Sequence, residues 1–125
     1  IHEIAHAAER EYSSIIYTGP LEREFLAKRE RLYSMLVAEG YNISPVFKVK
    51  VEYDRDIDEF LYKEVGYERL ENLINGLFIS AYASTSLSEY FARGFEEFYM
   101  GDVSYFKKVS PVLYSILKSL KDMED

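Results

Sequence analysis

The chain has 125 residues, of which 48% are hydrophobic and 30% charged, with three prolines, six glycines and a formal net charge of −7. This is the size and composition of one folded domain with its own core, and no low-complexity tract of the disordered kind is present. Cysteine is absent, which excludes disulfides, thiolate metal sites and thiol catalysis, so any metal must be held by His, Asp or Glu.

Residues 1–50 balance acidic against basic side chains, so the net charge lies beyond residue 50, densest at Glu52, Asp54, Asp56, Asp58, Glu59 and Glu64. A nucleic-acid partner needs a basic stripe against its phosphates, and this sequence has the opposite. The acidic cluster reads as a solvated face, with a docking surface for a basic substrate as the alternative. The apolar runs fall far short of the about 20 residues that span a bilayer, so no transmembrane segment is predicted. No signal segment is visible, and localisation stays open between secreted and cytoplasmic.

Residues 1–17 place Ile1, Ile4, Ala5, Ala8 and Tyr12 at helical spacing before Gly19 and Pro20. The spacing predicts a helix, entered with no cap and no initiating methionine, from which an upstream segment is expected. Over 21–39, Leu21, Phe25, Leu32, Leu36 and Val37 form an apolar face that Gly40 ends, a second amphipathic helix. After the turn at Asn42, Ile43, Ser44 and Pro45, the residues Phe47, Val49, Val51 and Tyr53 alternate with Lys48, Lys50 and Glu52. That two-residue rhythm predicts one short strand or extended segment.

A brief helix follows over 56–65, closed by Gly66, and another over 67–80 with Leu70, Leu73, Ile74 and Leu77 as its stripe. Ser84, Thr85 and Ser86 are capping residues before a helix over Leu87–Met100, which Gly101 ends. Asp102 can cap the next element, and Pro111 opens a terminal helix reaching about residue 120. The chain is therefore predicted to be mainly α, with at most one short strand.

Within the first helix, His2-Glu3-Ile4-Ala5-His6 is the pattern HExxH. Four residues make a little more than one helical turn, so His2 and His6 share a face about 6 Å apart and can close on one zinc ion. Glu3 lies off that axis, where it can take a proton from water rather than bind metal. The chain's two histidines are both in the motif. A catalytic zinc site keeps three protein ligands, so a carboxylate must be the third, and the helix over Leu87–Met100 offers Glu89 in its first turn.

HEIAH followed by SAYASTSLSEYFARGFEEFY resembles the anthrax lethal factor-like metallopeptidases, a group that includes the Pro-Pro endopeptidases. In that family a tyrosine precedes the ligand glutamate by seven residues, and two bulky residues and alanine follow it. Tyr82 and Glu89-Tyr90-Phe91-Ala92 are similar to that pattern. The resemblance implies that Glu89 is the third zinc ligand and that Tyr82 steadies the substrate oxyanion. It extends loosely to residues 109–114, which look like the family's final helix, and is thinnest over 47–80.

Each assignment has a plainer rival. Ser86 and Glu89 form a Ser-x-x-Glu capping box, and Tyr82 is one of twelve tyrosines. One position also departs from the family, whose members commonly carry an acidic residue four positions after the ligand glutamate to orient a ligand histidine. Arg93 stands there, so that support must be built otherwise.

The resemblance implies a single zincin-like catalytic domain over 1–125, continued upstream by a substrate-aligning sheet. Its function is expected to be that of a zinc-dependent endopeptidase with one Zn2+ per chain, acting on a peptide or protein. Zinc would be held by His2, His6 and Glu89, with Glu3 and Tyr82 catalytic. The alternatives are a non-catalytic zincin-fold module of a larger protein or assembly, and a helical interaction domain in which HExxH is accidental.

Overall fold

The computed structural model describes residues 2–17 and 19–124, apart from the side chains of His2, Ile15 and Glu124. Helices dominate: α1 (His2–Glu11), the single turn α2 (Ser13–Ile16), α3 (Pro20–Ala38), α4 (Arg55–Glu59), α5 (Tyr67–Leu73), α6 (Leu87–Met100), α7 (Val103–Val109) and α8 (Pro111–Glu124). The mainly α fold expected from the periodicity is the fold observed. No helix among the described residues is long and apolar enough to cross a membrane.

The first predicted helix is broken at Tyr12, which takes φ −109° and ψ 24°. Ser13, Ser14, Ile15 and Ile16 are weak helix formers, through backbone competition and stiff branched side chains, and sustain only one more turn. At Gly19, φ is +101°, a conformation that suits glycine, and Pro20 then opens α3 with its ring already fitted to the first helical position.

The buried stripe of α3 is Leu21, Phe25, Arg29, Leu32 and Leu36. Phe25 packs on Tyr90 of α6 and on Phe78, with ring centroids 5.4 and 6.2 Å apart. From the same helix Glu24 accepts hydrogen bonds from Val112 N at 2.7 Å and from the Tyr90 hydroxyl at 2.6 Å. It thus satisfies the open N-terminus of α8, which Pro111 begins. Gly94 lets α6 and α8 approach: a β-carbon there would lie 2.2 Å from Leu113 Cδ2.

The predicted strand over 47–53 does not form, and among the described residues no strand forms elsewhere. Ser44 caps a 3-10 turn over Pro45–Lys48 instead, with Val46 N bonded to its hydroxyl. The alternation is not a sheet face: Phe47 and Val51 are buried, while Val49 is 70% and Tyr53 57% exposed. The carbonyls of this segment go to other donors, Phe47 O to Arg29 Nη1 at 2.6 Å and Val51 O to Leu87 N at 2.8 Å.

Asp54 caps α4 by accepting from Asp56 N and Ile57 N, and the helix continues as a wider π-turn over Phe60–Val65. Gly66 ends it at φ +85°. The helix predicted over 67–80 stops at Leu73, and the chain turns through Gly76 at φ +80°. The helix over Leu87–Met100 forms as predicted, with Ser86 Oγ accepting from Glu89 N at 3.1 Å, and Asp102 caps α7. The terminal helix runs past the predicted 120 to Glu124.

Part of the acidic cluster has structural work beyond a solvated face. Asp54 pairs with Lys50 at 2.9 Å, and Asp58 accepts from the Tyr53 and Tyr67 hydroxyls at 3.1 Å each.

Candidate metal centre

The chief packing partner of α1 is α6, and that contact brings the two halves of the predicted site together. His6 Nε2 lies 3.4 Å from Glu89 Oε1, across 83 residues of sequence, with both side chains largely covered (26% and 15% exposed). Glu89 is held in place by its own backbone, whose N–H is bonded to Ser86. Half of the predicted capping box is therefore present, and it coexists with a carboxylate turned toward the histidine.

The other imidazole nitrogen is fully engaged. His6 Nδ1 lies 2.9 Å from Glu9 Oε1, one turn along α1. A carboxylate only accepts, so the shared proton is on Nδ1. In neutral imidazole Nε2 then carries a lone pair, and it faces a carboxylate oxygen. Two acceptors at this separation repel unless a proton or a cation lies between them. The spacing fits a metal: two donors each about 2.1 Å from a tetrahedral zinc stand about 3.4 Å apart.

Glu9 is itself tied down. Ser88 donates to its Oε1 at 2.8 Å and the Tyr17 hydroxyl donates to Oε2. Burial pushes the Glu9 carboxyl upward, but the hydrogen bonds from Tyr17, His6 and Ser88 outweigh it and hold the group below its usual range. Burial and the neighbouring Glu9 charge raise the pKa of Tyr17, which therefore stays protonated and able to donate.

Tyr82 opens a 3-10 turn over Tyr82–Ser84, just ahead of α6. Arg93 lies over its ring, with Cζ 5.0 Å from the centroid, and Tyr67 meets it edge-on at 6.5 Å. Burial raises the pKa of the Tyr82 hydroxyl, as do the Glu89 and Asp58 charges, against a smaller opposing effect of Arg93. The phenol is thereby kept neutral and able to donate its proton to a hydrogen bond. Arg93 also pairs with Glu96 at 3.5 Å, and Glu97 Oε1 accepts from Asp102 N at 3.0 Å.

Glu3 is exposed in the first turn of α1. The backbone of His2 is helical, and its side chain lies outside the described residues. Among those residues no three His, Asp or Glu side chains gather into a metal-binding group. The structure thus joins His6, Glu89, Glu9 and Ser88, packs Tyr82 against Arg93 and Tyr67, and leaves Glu3 exposed on α1.

Two residues that matter here went unread in the sequence. Glu9 is three positions after His6, a spacing that puts both on one helix face. Arg29 falls in register with the apolar stripe of α3, which marks a buried cation. Compared with known protein families, curated proteins and solved structures, the chain matches none.

Proposed function

We propose that the chain is a zinc-dependent endopeptidase in which His2, His6 and Glu89 hold the metal. The observation that carries this reading is the His6–Glu89 pair, in which Nε2 and Oε1 from helices far apart in sequence but packed together lie at the spacing of zinc ligands. A bound zinc ion would supply Lewis acidity, polarising a peptide carbonyl and acidifying water. Glu3, one residue beyond His2 and open to solvent, takes the proton from the attacking water and returns it to the leaving amine. The Tyr82 hydroxyl, kept protonated, donates a hydrogen bond to the developing oxyanion of the substrate. The resemblance to lethal factor-like metallopeptidases supports the same roles for the same residues.

A second reading is a zinc-binding module without turnover, favoured by the absence of any strand among the described residues to hold an extended peptide beside the site. The Glu3→Ala variant separates the two. It should keep its zinc and lose peptide cleavage by about 10²–10⁴-fold, whereas equal cleavage of an unstructured protein substrate by parent and variant would sink the enzyme reading.

A further inference from the structure

Arg93 occupies the position where the family resemblance leads one to expect an acid that orients a ligand histidine, and it is committed elsewhere, to the Tyr82 ring and Glu96. The imidazole of His6 is nonetheless held on its far side, by Glu9. We infer that Glu9 is the positioning residue of the site: it accepts a hydrogen bond from Nδ1–H of His6 and so fixes the tautomer and ring orientation that aim Nε2 at Glu89. The inference rests on the reading of His6 and Glu89 as zinc ligands.

Three features carry it. Oε1 of Glu9 is 2.9 Å from Nδ1, a normal hydrogen-bond length, while Nε2 is at 3.4 Å from Glu89, so the two sides of the ring are engaged differently. Glu9 and His6 project from one helix turn, so their relative placement is set by α1 alone. Glu9 cannot swing away, because it is only 12% exposed and is held on both oxygens, by Ser88 and by Tyr17.

The origins of those two restraints matter. Ser88 is the neighbour of Glu89 on α6, so the docking of α6 on α1 delivers the carboxylate ligand and the restraint on Glu9 in one step. Tyr17 comes from beyond the break at Tyr12. A continuous helix would set residues 9 and 17 about 12 Å apart along its axis, and the interruption helps the phenol reach back. An acid three residues from its histidine on the same helix thus replaces the acid expected from α6. Outer carboxylates of this kind fix ring orientation and raise the basicity of the ligand nitrogen.

The test uses the 125-residue chain with Glu9→Gln and Glu9→Ala variants, circular dichroism confirming that each is folded. In the metal-free parent near pH 8, nitrogen-15 resonances of the imidazole should show His6 protonated at Nδ1. In Glu9→Ala it should revert toward the Nε2-protonated form that free imidazole side chains prefer. Zinc affinity, measured by competition with a chromophoric chelator, should fall about 10–100-fold in Glu9→Ala and less in Glu9→Gln. An Nε2-protonated His6 in the parent would overturn the inference, as would zinc affinities of both variants within about twofold of it. A parent that binds no zinc overturns the ligand reading and the inference with it; a parent that binds zinc, with variants that bind it equally, overturns the inference alone.

Discussion

Arg29, on the buried face of α3, donates from Nη2 to the carbonyl of Thr85 at 2.8 Å, binding the long central helix to the turn that enters α6. Its other nitrogens reach Ser84 O at 2.7 Å and Phe47 O at 2.6 Å, and its guanidinium lies over the Phe47 ring at 4.2 Å. Burial lowers its pKa to about 10, partly offset by Asp54, which still leaves it charged at neutral pH. Backbone carbonyls, rather than a carboxylate, take up the hydrogen-bonding capacity of this buried cation. The segment it pins carries Tyr82 on one side and Glu89 on the other.

Arg29→Ala should therefore destabilise the fold by about 3 kcal/mol or more, because it removes charge-assisted hydrogen bonds and leaves buried carbonyls without donors. Arg29→Lys should not rescue it, because an ammonium on a single stem cannot reach three carbonyls arranged for a planar fork. Urea denaturation of the three chains checks both. A lysine variant as stable as the parent would show that charge alone, not the fork, holds the turn.

A second expectation concerns pH. The Asp54 carboxyl is held below its usual range, first by the Lys50 ammonium and then by the Ile57 N–H of the helix it caps. A carboxyl depressed on folding adds stability above its unfolded pKa, and that stability is lost as pH falls through the folded value. Asp54→Asn keeps a capping oxygen but loses the ion pair with Lys50. At neutral pH the variant should be slightly less stable, the difference kept small because solvent screens the pair. Below the ordinary carboxylate range the two chains should converge. Thermal midpoints across an acid titration measure this, and a difference independent of pH would remove the ion pair from the explanation.

Much of this was legible in the sequence where one local signal sufficed. The α6 helix announced both ends, with Ser86 as cap and Gly101 as stop, and it formed over the predicted residues. The HExxH spacing likewise needs only helical geometry, and the pairing of His6 with Glu89 followed from it together with the family resemblance.

What failed depended on partners distant in the chain. The alternation over 47–53 looked like a strand, but a strand needs a neighbour to bond with, and here Arg29 and Leu87 take those carbonyls. Glu9 is one acid among several on α1. Only the approach of Ser88 and the return of Tyr17, neither predictable from periodicity, distinguish it.

The proposed metal centre requires that His6 and Glu89 face each other because they bind a metal. Titration of the metal-free chain with zinc, read by isothermal calorimetry, tests it most directly when run beside His6→Ala and Glu89→Ala. The account predicts one zinc per parent chain. It also predicts a loss of affinity in each variant greater than the about 10–100-fold produced by removing a supporting residue. Failure of the parent to bind zinc, or binding of unchanged affinity in both variants, would contradict it and leave the pair as an imidazolium held between two carboxylates.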